Sequence, residues 1–245
     1  ATMRGPFGGS GKKESKGGSV AERSIQRAVS DVRSKSASKD VVCLAIADLH
    51  LWPTPPIARS AEPDWKKTLK GYLDQVSHLH ATYECPILIA GDFFDKWNAP
   101  AELINFCIRH FPGQIYGVPG QHDLENHVLE HINRTAYWTL VSSGMVTHLY
   151  PKKPVEINVK GHPIRLHGFP WSVPIQPLKT PHDLIVEIAV IHQYAWTDRK
   201  GWSAYPGAPQ DKELGSMQPQ LAGYDVVVFG DNHTPWTFSK KTPQG

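Results

Sequence analysis

Five apolar runs of strand length in this 245-residue chain are each followed within a few residues by carboxylates or histidines. The runs and their followers are VVCLAIA (41–47) before Asp48 and His50, PILIA (86–90) before Asp92 and Asp95, QIYGV (114–118) before Gln121, His122 and Asp123, LIVEIAVI (184–191) before His192, and DVVVF (225–229) before Asp231 and His233. Because the carboxyl ends of strands in an open α/β sheet face one crevice, we expect these side chains to meet there. Oxygen and nitrogen donors without thiolates are typical of manganese, iron(II) and zinc sites.

The number of candidate ligands indicates two metal ions rather than one. About seven donors are too many for a single ion, and two ions about 3.5–4 Å apart need a shared carboxylate. Such pairs recur in enzymes that hydrolyse phosphoesters. Each motif alone is also typical of a turn, a helix-capping aspartate or a core histidine. Their joint occurrence after five apolar runs predicts a phosphoesterase centre.

The elements that must position these residues follow from the apolar spacing. Helical spacing predicts amphipathic helices at 62–83, 99–111 and 126–142. Alternation of these helices with the first three runs predicts a parallel sheet with crossover helices. The second half, with the short runs MVTHLY, PVEINVKG and IRLHGFP, predicts a more antiparallel sheet. Segment 196–220 is rich in glycine, proline and polar residues and predicts a functional or mobile loop.

Composition predicts a soluble globular domain with a distinct N-terminal segment. Residues 1–40 hold nine basic and four acidic residues, so the net charge of this segment, 9 − 4 = +5, exceeds the net charge of +3 of the whole chain. We therefore expect a flexible basic segment with a short helix at 20–33. The domain proper is predicted at 41–245, with an apparently incomplete C-terminal end. No run of 18 apolar residues is present, no signal sequence is expected, and Cys43, Cys85 and Cys107 lie far apart in apolar surroundings. We therefore predict a cytoplasmic protein with no membrane partner.

The motifs resemble those of the calcineurin-like metallophosphoesterase superfamily. They are ADLHL, GDFFD, GQHD, a single histidine and GDNH, and together they extend from about residue 41 to 236. The spellings ADLHL, GDFFDKWNAPAE and YGVPGQHD are most similar to the SbcD-type branch of DNA-repair nucleases. The resemblance implies an α/β fold, a β-sandwich of two mixed sheets flanked by helices.

The resemblance also implies a role for each motif residue. Metal one would be held by Asp48, His50, Asp92 and His233, and metal two by Asp92, Gln121, His192 and Asp231, with Asp92 as the bridge. His122 would not be a ligand. It would face the scissile phosphate, stabilise its charge or protonate the leaving oxygen, and be oriented by Asp123. A water or hydroxide held by the ions would be the nucleophile.

Two motif residues depart from the family pattern, and both lie at metal two. Gln121 stands where the family has asparagine, and Asp231 stands where it has histidine. An added carboxylate favours Mn²⁺ most, with Fe²⁺, Zn²⁺ and Mg²⁺ as alternatives. Metal one, which keeps its full set, is therefore expected to bind more tightly than metal two.

The function predicted from these residues is metal-dependent phosphodiester hydrolysis by a DNA exo- or endonuclease. A small-molecule phosphoesterase and a catalytically degenerate scaffold of the same fold remain alternatives, the latter favoured by Gln121 and Asp231. Trp52 and Trp97, which flank the motif loops among polar and proline residues, are the candidates for stacking on unpaired bases. DNA is the expected substrate, an ATPase subunit is the partner that the resemblance suggests, and a homodimer is left open.

Overall fold

The structure, a computed structural model, describes residues 41–197, 208–234, 236–237 and 239. The flexible basic segment 1–40 and its short helix at 20–33 lie outside the described residues, so they stay predictions. The same holds for residues 198–207 of the predicted loop and for the C-terminal residues 240–245. No helix in the described part of the chain combines the length and apolar character that crossing a bilayer requires.

In the described part of the chain, four α-helices accompany the sheets. They are α1 (Trp65–Tyr83), α2 (Ala101–His110), α3 (Ala136–Ser142) and α4 (Leu214–Met217). The first two confirm the helices predicted from apolar spacing. Helix α1 begins where the carboxylate of Asp64 accepts the backbone N–H of Lys67 and ends at Glu84, whose φ of 45° is left-handed.

The first sheet is parallel throughout its four strands, which lie in chain order. They are β1 (Leu44–Ile46), β2 (Ile87–Ala90), β3 (Ile115–Val118) and β4 (Val146–His148). The antiparallel setting predicted for MVTHLY is wrong, because β4 pairs in parallel with β3. Helix α3 supplies the crossover that a parallel connection needs.

The second sheet is mixed and also runs in chain order. Its strands are β5 (Val155–Val159), β6 (His162–Phe169), β7 (Val186–His192) and β8 (Val226–Gly230). Within the described residues, β5 and β6 form the one antiparallel pair, whereas β6, β7 and β8 are parallel. The prediction of a more antiparallel half is therefore correct for one pairing alone. The chain between the later strands is long enough to cross back over the sheet, which apolar spacing does not reveal.

The core lies in three layers that explain the continuous apolar runs. In β2, Ile87 and Ile89 pack under the helices, whereas Leu88 and Ala90 face the second sheet. A third cluster, which includes Phe169, covers the outer face of the second sheet with α4. Strands buried on both faces need apolar residues at every position. The predicted sandwich of two sheets flanked by helices is confirmed, with the first sheet wholly parallel in the described residues.

The helix predicted at 126–142 is interrupted. Residues Glu125–His127 and Leu129–Arg134 form 3-10 turns, and the α-helix starts only at Ala136. Thr135 caps this start by accepting the N–H of Trp138. Asn126, with a left-handed φ of 53°, breaks the helical path earlier. Apolar spacing continues across both features and therefore did not show them.

Acid is expected to destabilise the fold through His148. This imidazole at the end of β4 is 8% exposed, and its Nδ1 lies 3.1 Å from the hydroxyl of Tyr137. Burial lowers the pKa of His148 to about 4. The unfolded chain, with a histidine pKa near 6.5, takes up the proton first, so stability falls as the pH drops from about 6.5 towards 4. The expected loss between pH 7 and pH 4.5 is about 2–3 kcal/mol.

Denaturant unfolding of the wild type and of His148→Asn at both pH values measures this loss. The variant keeps a polar partner for Tyr137 but cannot titrate in this range, so its free energy of unfolding should fall less on acidification. Equal losses in the two proteins would show that His148 is not the group responsible.

Candidate metal centre

The loops after β1 and β2 lie side by side at the carboxyl end of the first sheet. The backbone N–H groups of Asp48, His50 and Leu51 donate to carbonyl oxygens of the β2 loop at 3.0–3.1 Å. The loop after β8 joins them, because the N–H of Asp231 donates to the carboxylate of Asp48 at 2.9 Å. These bonds bring motif residues from both sheets to one crevice, as the sequence predicted.

Asp92 lies at the centre of this crevice and is fully buried. Its Oδ1 accepts the backbone N–H of His122 at 2.9 Å. Its Oδ2 is buried without a hydrogen-bond partner and lies 3.4 Å from Nε2 of His192 and 3.8 Å from Nε2 of His50. A buried carboxylate oxygen is costly to leave unpaired. Its position between two imidazoles therefore fits a bridging ligand for two cations.

Among the described residues, three groups of side chains have donor atoms within 4.8 Å of one another. They are Asp48, His50 and His233; His50, Asp92 and His122; and Asp48, Asp92 and His192. The first contains three of the four predicted metal-one ligands. The third group shows that Asp48 also lies close to Asp92 and His192, two of the ligands predicted for metal two. The second shows that His122, for which a non-ligand role was predicted, lies within ligand distance.

His192 is held in the orientation that a metal ligand needs. Its Nδ1 lies 2.6 Å from the carbonyl oxygen of Ala90, which can only accept, so Nδ1 donates and Nε2 faces Asp92. Burial alone would lower the pKa of His192, but the negative charge of Asp92 beside Nε2 outweighs burial and raises the pKa to about 9. The surroundings of Nε2 therefore favour a positive charge.

Burial acts on two further members of the cluster. It lowers the pKa of His50, which keeps that imidazole neutral, the form that binds metals. It raises the pKa of Asp48, although the N–H of Asp231 opposes the shift by donating to the carboxylate. His233, by contrast, lies at the exposed rim, with Nε2 at 3.2 Å from Nε2 of His50 and 3.7 Å from Oδ1 of Asp48.

Gln121 and Asp231, the two departures from the family pattern, contact each other. The amide Nε2 of Gln121 donates to Oδ1 of Asp231 at 2.8 Å. The amide oxygen of Gln121 lies 2.7 Å from Nε2 of His192. The hydrogen bond to Asp231 therefore turns the Gln121 oxygen toward the predicted position of metal two. It also occupies one oxygen of the Asp231 carboxylate, which would otherwise be free to bind an ion.

The contacts of His122 and Asp123 differ from those predicted. Nδ1 of His122 lies 2.8 Å from the backbone carbonyl of Asp95, so Nδ1 is the donor and Nε2 is left for proton transfer. The fully buried carboxylate of Asp123 instead accepts the N–H groups of Phe93, Phe94 and Gly120 at 2.9–3.0 Å. The hydrogen bond that orients His122, expected from Asp123, is thus made by the backbone carbonyl of Asp95. Asp123 instead holds the loop after β2 against the loop after β3.

The electrostatics of Asp123 agree with this loop-pinning role. Burial raises the pKa of its carboxyl to about 6. The three N–H donors stabilise the ionised form, so the anion matches the observed contacts at neutral pH.

Asp95 is part of the GDFFD motif, but the sequence analysis predicted no function for it. Its carboxylate also lies 3.6 Å from Nδ1 of His50, which only the fold reveals.

Backbone strain and close packing mark the crevice as a specialised site. Asp48, His50, Asp92 and Asp231 all have left-handed φ values between 43° and 81°, a region that non-glycine residues rarely adopt. A Cβ at Gly120 would lie 2.1 Å from Oδ1 of Asp92 and 2.5 Å from Nε2 of His192. Only glycine lets the backbone approach the cluster so closely.

The two tryptophans predicted to bind substrate have different surroundings. Trp52 follows His50 by two residues, is half-buried, and has Nζ of Lys96 at 5.1 Å from its ring centroid. Trp97 is also half-buried, and its carbonyl accepts the N–H of Ala136 at the start of α3. Substrate binding by either ring stays a prediction. The sequence analysis predicted no function for the neighbouring Lys96.

The comparison with protein families agrees with the geometry. The model of the calcineurin-like phosphoesterase family matches residues 42–235, which include every motif loop described above. A search of curated proteins gave no significant match.

Proposed function

Because this chain belongs to the calcineurin-like phosphoesterase family, a family of metal-dependent phosphoester hydrolases, we propose that it is a nuclease that cleaves phosphodiester bonds of DNA at a dinuclear metal centre. The observation that carries the dinuclear centre is the buried, unpaired Oδ2 of Asp92 between His50 and His192. The proposal for DNA is supported by the SbcD-like spelling of the motifs and by the aromatic side chains beside the crevice.

The residues present fit a pair of divalent ions. Asp48, His50, Asp92 and His233 would hold one ion, and Asp92, His192, Gln121 and Asp231 the other. When bound, the ions supply an activated water at neutral pH and offset the charge of the phosphate. The hydrogen bond from His192 to Ala90 and the glycine at position 120 keep the ligand atoms in place for this chemistry.

His122 is the residue that moves a proton in this proposal. Because Nδ1–H donates to the Asp95 carbonyl, the proton passed to the leaving oxygen is the one that Nε2 carries when both ring nitrogens are protonated. The ring lies edge-on to His50 with centroids 4.7 Å apart, next to the ligand cluster. A proton delivered there would turn the departing alkoxide into a hydroxyl as the bond to phosphorus breaks. The ATPase subunit and the homodimer stay predictions.

Hydrolysis of three substrates, each assayed separately, tests the proposal. Purified protein is stripped of metal, supplied with Mn²⁺, and assayed on single-stranded DNA, bis-p-nitrophenyl phosphate and p-nitrophenyl phosphate. We expect cleavage of the DNA and the diester with little of the monoester. Preference for the monoester would instead support the small-molecule phosphoesterase. No hydrolysis of any substrate under conditions where metal binds would support the degenerate scaffold.

Metal identity is a separate prediction. The oxygen and nitrogen donors, with a carboxylate at position 231, favour Mn²⁺ over Zn²⁺. Adding each metal to the stripped protein should restore hydrolysis of bis-p-nitrophenyl phosphate best with Mn²⁺. Restoration by Zn²⁺ but not by Mn²⁺ would contradict this preference.

The two metal sites are expected to differ in affinity. Metal one keeps two imidazoles and two carboxylates, whereas metal two has Gln121, whose amide is shared with Asp231. For borderline metals, a lost nitrogen donor usually matters more than an added carboxylate. Calorimetric titration with Mn²⁺ should therefore resolve one tight and one weaker site. Asp231→His should tighten the weaker one.

Two equal, tight sites in the wild type would contradict this prediction, as would an Asp231→His variant with unchanged affinity. Asp225→Asn is a suitable control, because Asp225 contacts the backbone N–H of Glu187 rather than the cluster. It should leave both affinities as they are in the wild type.

A further inference from the structure

Three aromatic rings and two cationic side chains contact one another in a row beside the metal centre. The members are Lys96, Trp52, Trp65, Arg59 and Tyr72, and we call them the aromatic–cation strip. The Lys96 Nζ lies 5.1 Å from the Trp52 ring centroid. Nε1 of Trp65 donates to the backbone carbonyl of Trp52 at 2.8 Å. The Arg59 guanidinium lies 5.9 Å from the centroid of Trp65 and 5.6 Å from that of Tyr72.

The strip begins at the metal centre. Trp52 is in the loop that carries Asp48 and His50, and Lys96 directly follows Asp95, whose carbonyl holds His122. A β-bridge between Leu51 and Phe94 joins these two loops. A polymer whose scissile phosphate lay near His122 would therefore have its next units beside Trp52 and Lys96.

The aromatic members are positioned but not enclosed. Trp52, Trp65 and Tyr72 are half-buried, and all three pack against the core cluster under the helices. A ring held in place by packing gives up little conformational freedom when a ligand stacks on it.

The two cations of the strip differ in their partners. Arg59 contacts the carboxylate of Glu62 and the hydroxyl of Tyr72, so its charge is largely used within the protein. Lys96 is exposed and, among the described residues, has no carboxylate within ion-pair distance. Its ammonium group is therefore available to a phosphate, while Arg59 keeps the Trp65 and Tyr72 rings in place.

A row of aromatic rings with cations beside them matches the chemistry of a single nucleic-acid strand. Bases stack on aromatic side chains without regard to sequence, and cations contact the phosphates between them. We infer that the strip binds the single-stranded flank of a DNA substrate, with Trp52 and Trp65 stacking on bases and Lys96 contacting a phosphate. This inference rests on the proposed nuclease function and assigns its substrate a path across the surface.

Binding measured without catalysis tests the strip separately from the nuclease function. Fluorescence anisotropy of a labelled 20-nucleotide oligo(dT) is recorded with the 245-residue protein in EDTA, where no hydrolysis occurs. Trp52→Ala should weaken binding by about 5- to 100-fold, the range expected for one lost stacking contact. Lys96→Ala should weaken it by about fivefold at 0.1 M salt and reduce the slope of log affinity against log salt by about 0.7.

A matched control comes from helix α1, which also carries Trp65 and Tyr72. Lys70 is an exposed lysine of α1 whose Nζ pairs with Asp74 at 2.7 Å, and Lys70→Ala should leave the affinity and the salt slope nearly unchanged. Thermal unfolding of Trp52→Ala checks its fold, and Lys96→Ala changes only an exposed side chain and so keeps the test valid if Trp52→Ala unfolds.

Three outcomes would overturn the inference. They are equal effects of Lys96→Ala and Lys70→Ala, tighter binding of a blunt duplex than of oligo(dT), and a folded Trp52→Ala protein with wild-type affinity. Failure of the nuclease proposal looks different, because it is the absence of diester hydrolysis with metal, whatever the DNA affinity in EDTA.

Discussion

His122→Ala is expected to lower turnover by about 10²–10⁴-fold, the usual contribution of a positioned proton donor. The physical reason is the hydrogen bond between Nδ1 and the Asp95 carbonyl, which leaves Nε2 as the proton-transferring atom beside the ligand cluster. Loss of the imidazole leaves the departing oxygen without its proton. Steady-state kinetics on bis-p-nitrophenyl phosphate with saturating Mn²⁺ measure the effect on kcat.

The metal affinity of His122→Ala distinguishes a role of His122 in proton transfer from a role as a metal ligand. Because His122 also lies within 4.8 Å of donor atoms of His50 and Asp92, geometry alone permits coordination. Calorimetry on His122→Ala should nevertheless give wild-type Mn²⁺ affinities, and His78→Ala, an exposed histidine of α1, should change neither kcat nor affinity. A collapse of metal affinity in His122→Ala would make His122 a ligand and the proton-transfer role wrong.

Asp92→Asn is expected to abolish tight binding at both metal sites. The asparagine keeps the size of the side chain but removes the negative charge that Oδ2 presents to His50 and His192. Loss of a supporting hydrogen bond to a ligand typically costs about 10- to 100-fold in metal affinity, so loss of a shared ligand should cost more. Mn²⁺ titration by calorimetry should show both sites weakened by over about 100-fold, with hydrolysis reduced in parallel.

The matched control is Asp74→Asn, an exposed aspartate of α1 paired only with Lys70 in the described residues. It should bind metal as the wild type does. If Asp92→Asn weakens only one of the two sites, Asp92 is not the bridge, and the buried Oδ2 must be explained in another way. Circular dichroism of the variant confirms that the comparison is between folded proteins.

Several features of the fold could be predicted from the sequence because they depend on local patterns. Runs such as PILIA are apolar at every position, which is typical of a strand buried on both faces, and β2 is such a strand. The spacing of Leu69 and Leu73 predicted α1. The order of carboxylates and histidines after the runs also predicted that they would meet, since parallel strands end at one edge of a sheet.

Other features depended on interactions between distant segments and could not be predicted. The strand ending at His148 joins the first sheet because the chain crosses over through α3. A short apolar run does not show which sheet its strand will join. The start of that helix at Ala136 depended on capping by Thr135 after an irregular turn at Asn126.

Within the site, the sequence determined which residue types gather, and the tertiary structure decided which of them touch. Asp123 follows His122 directly, yet its carboxylate points to three backbone N–H groups, while the carbonyl of Asp95, 27 residues earlier, holds the imidazole. Gln121 and Asp231 are separated by 110 residues and share a hydrogen bond. A motif records residue type and spacing, but a hydrogen bond depends on distances and angles that only the packing of the two sheets sets.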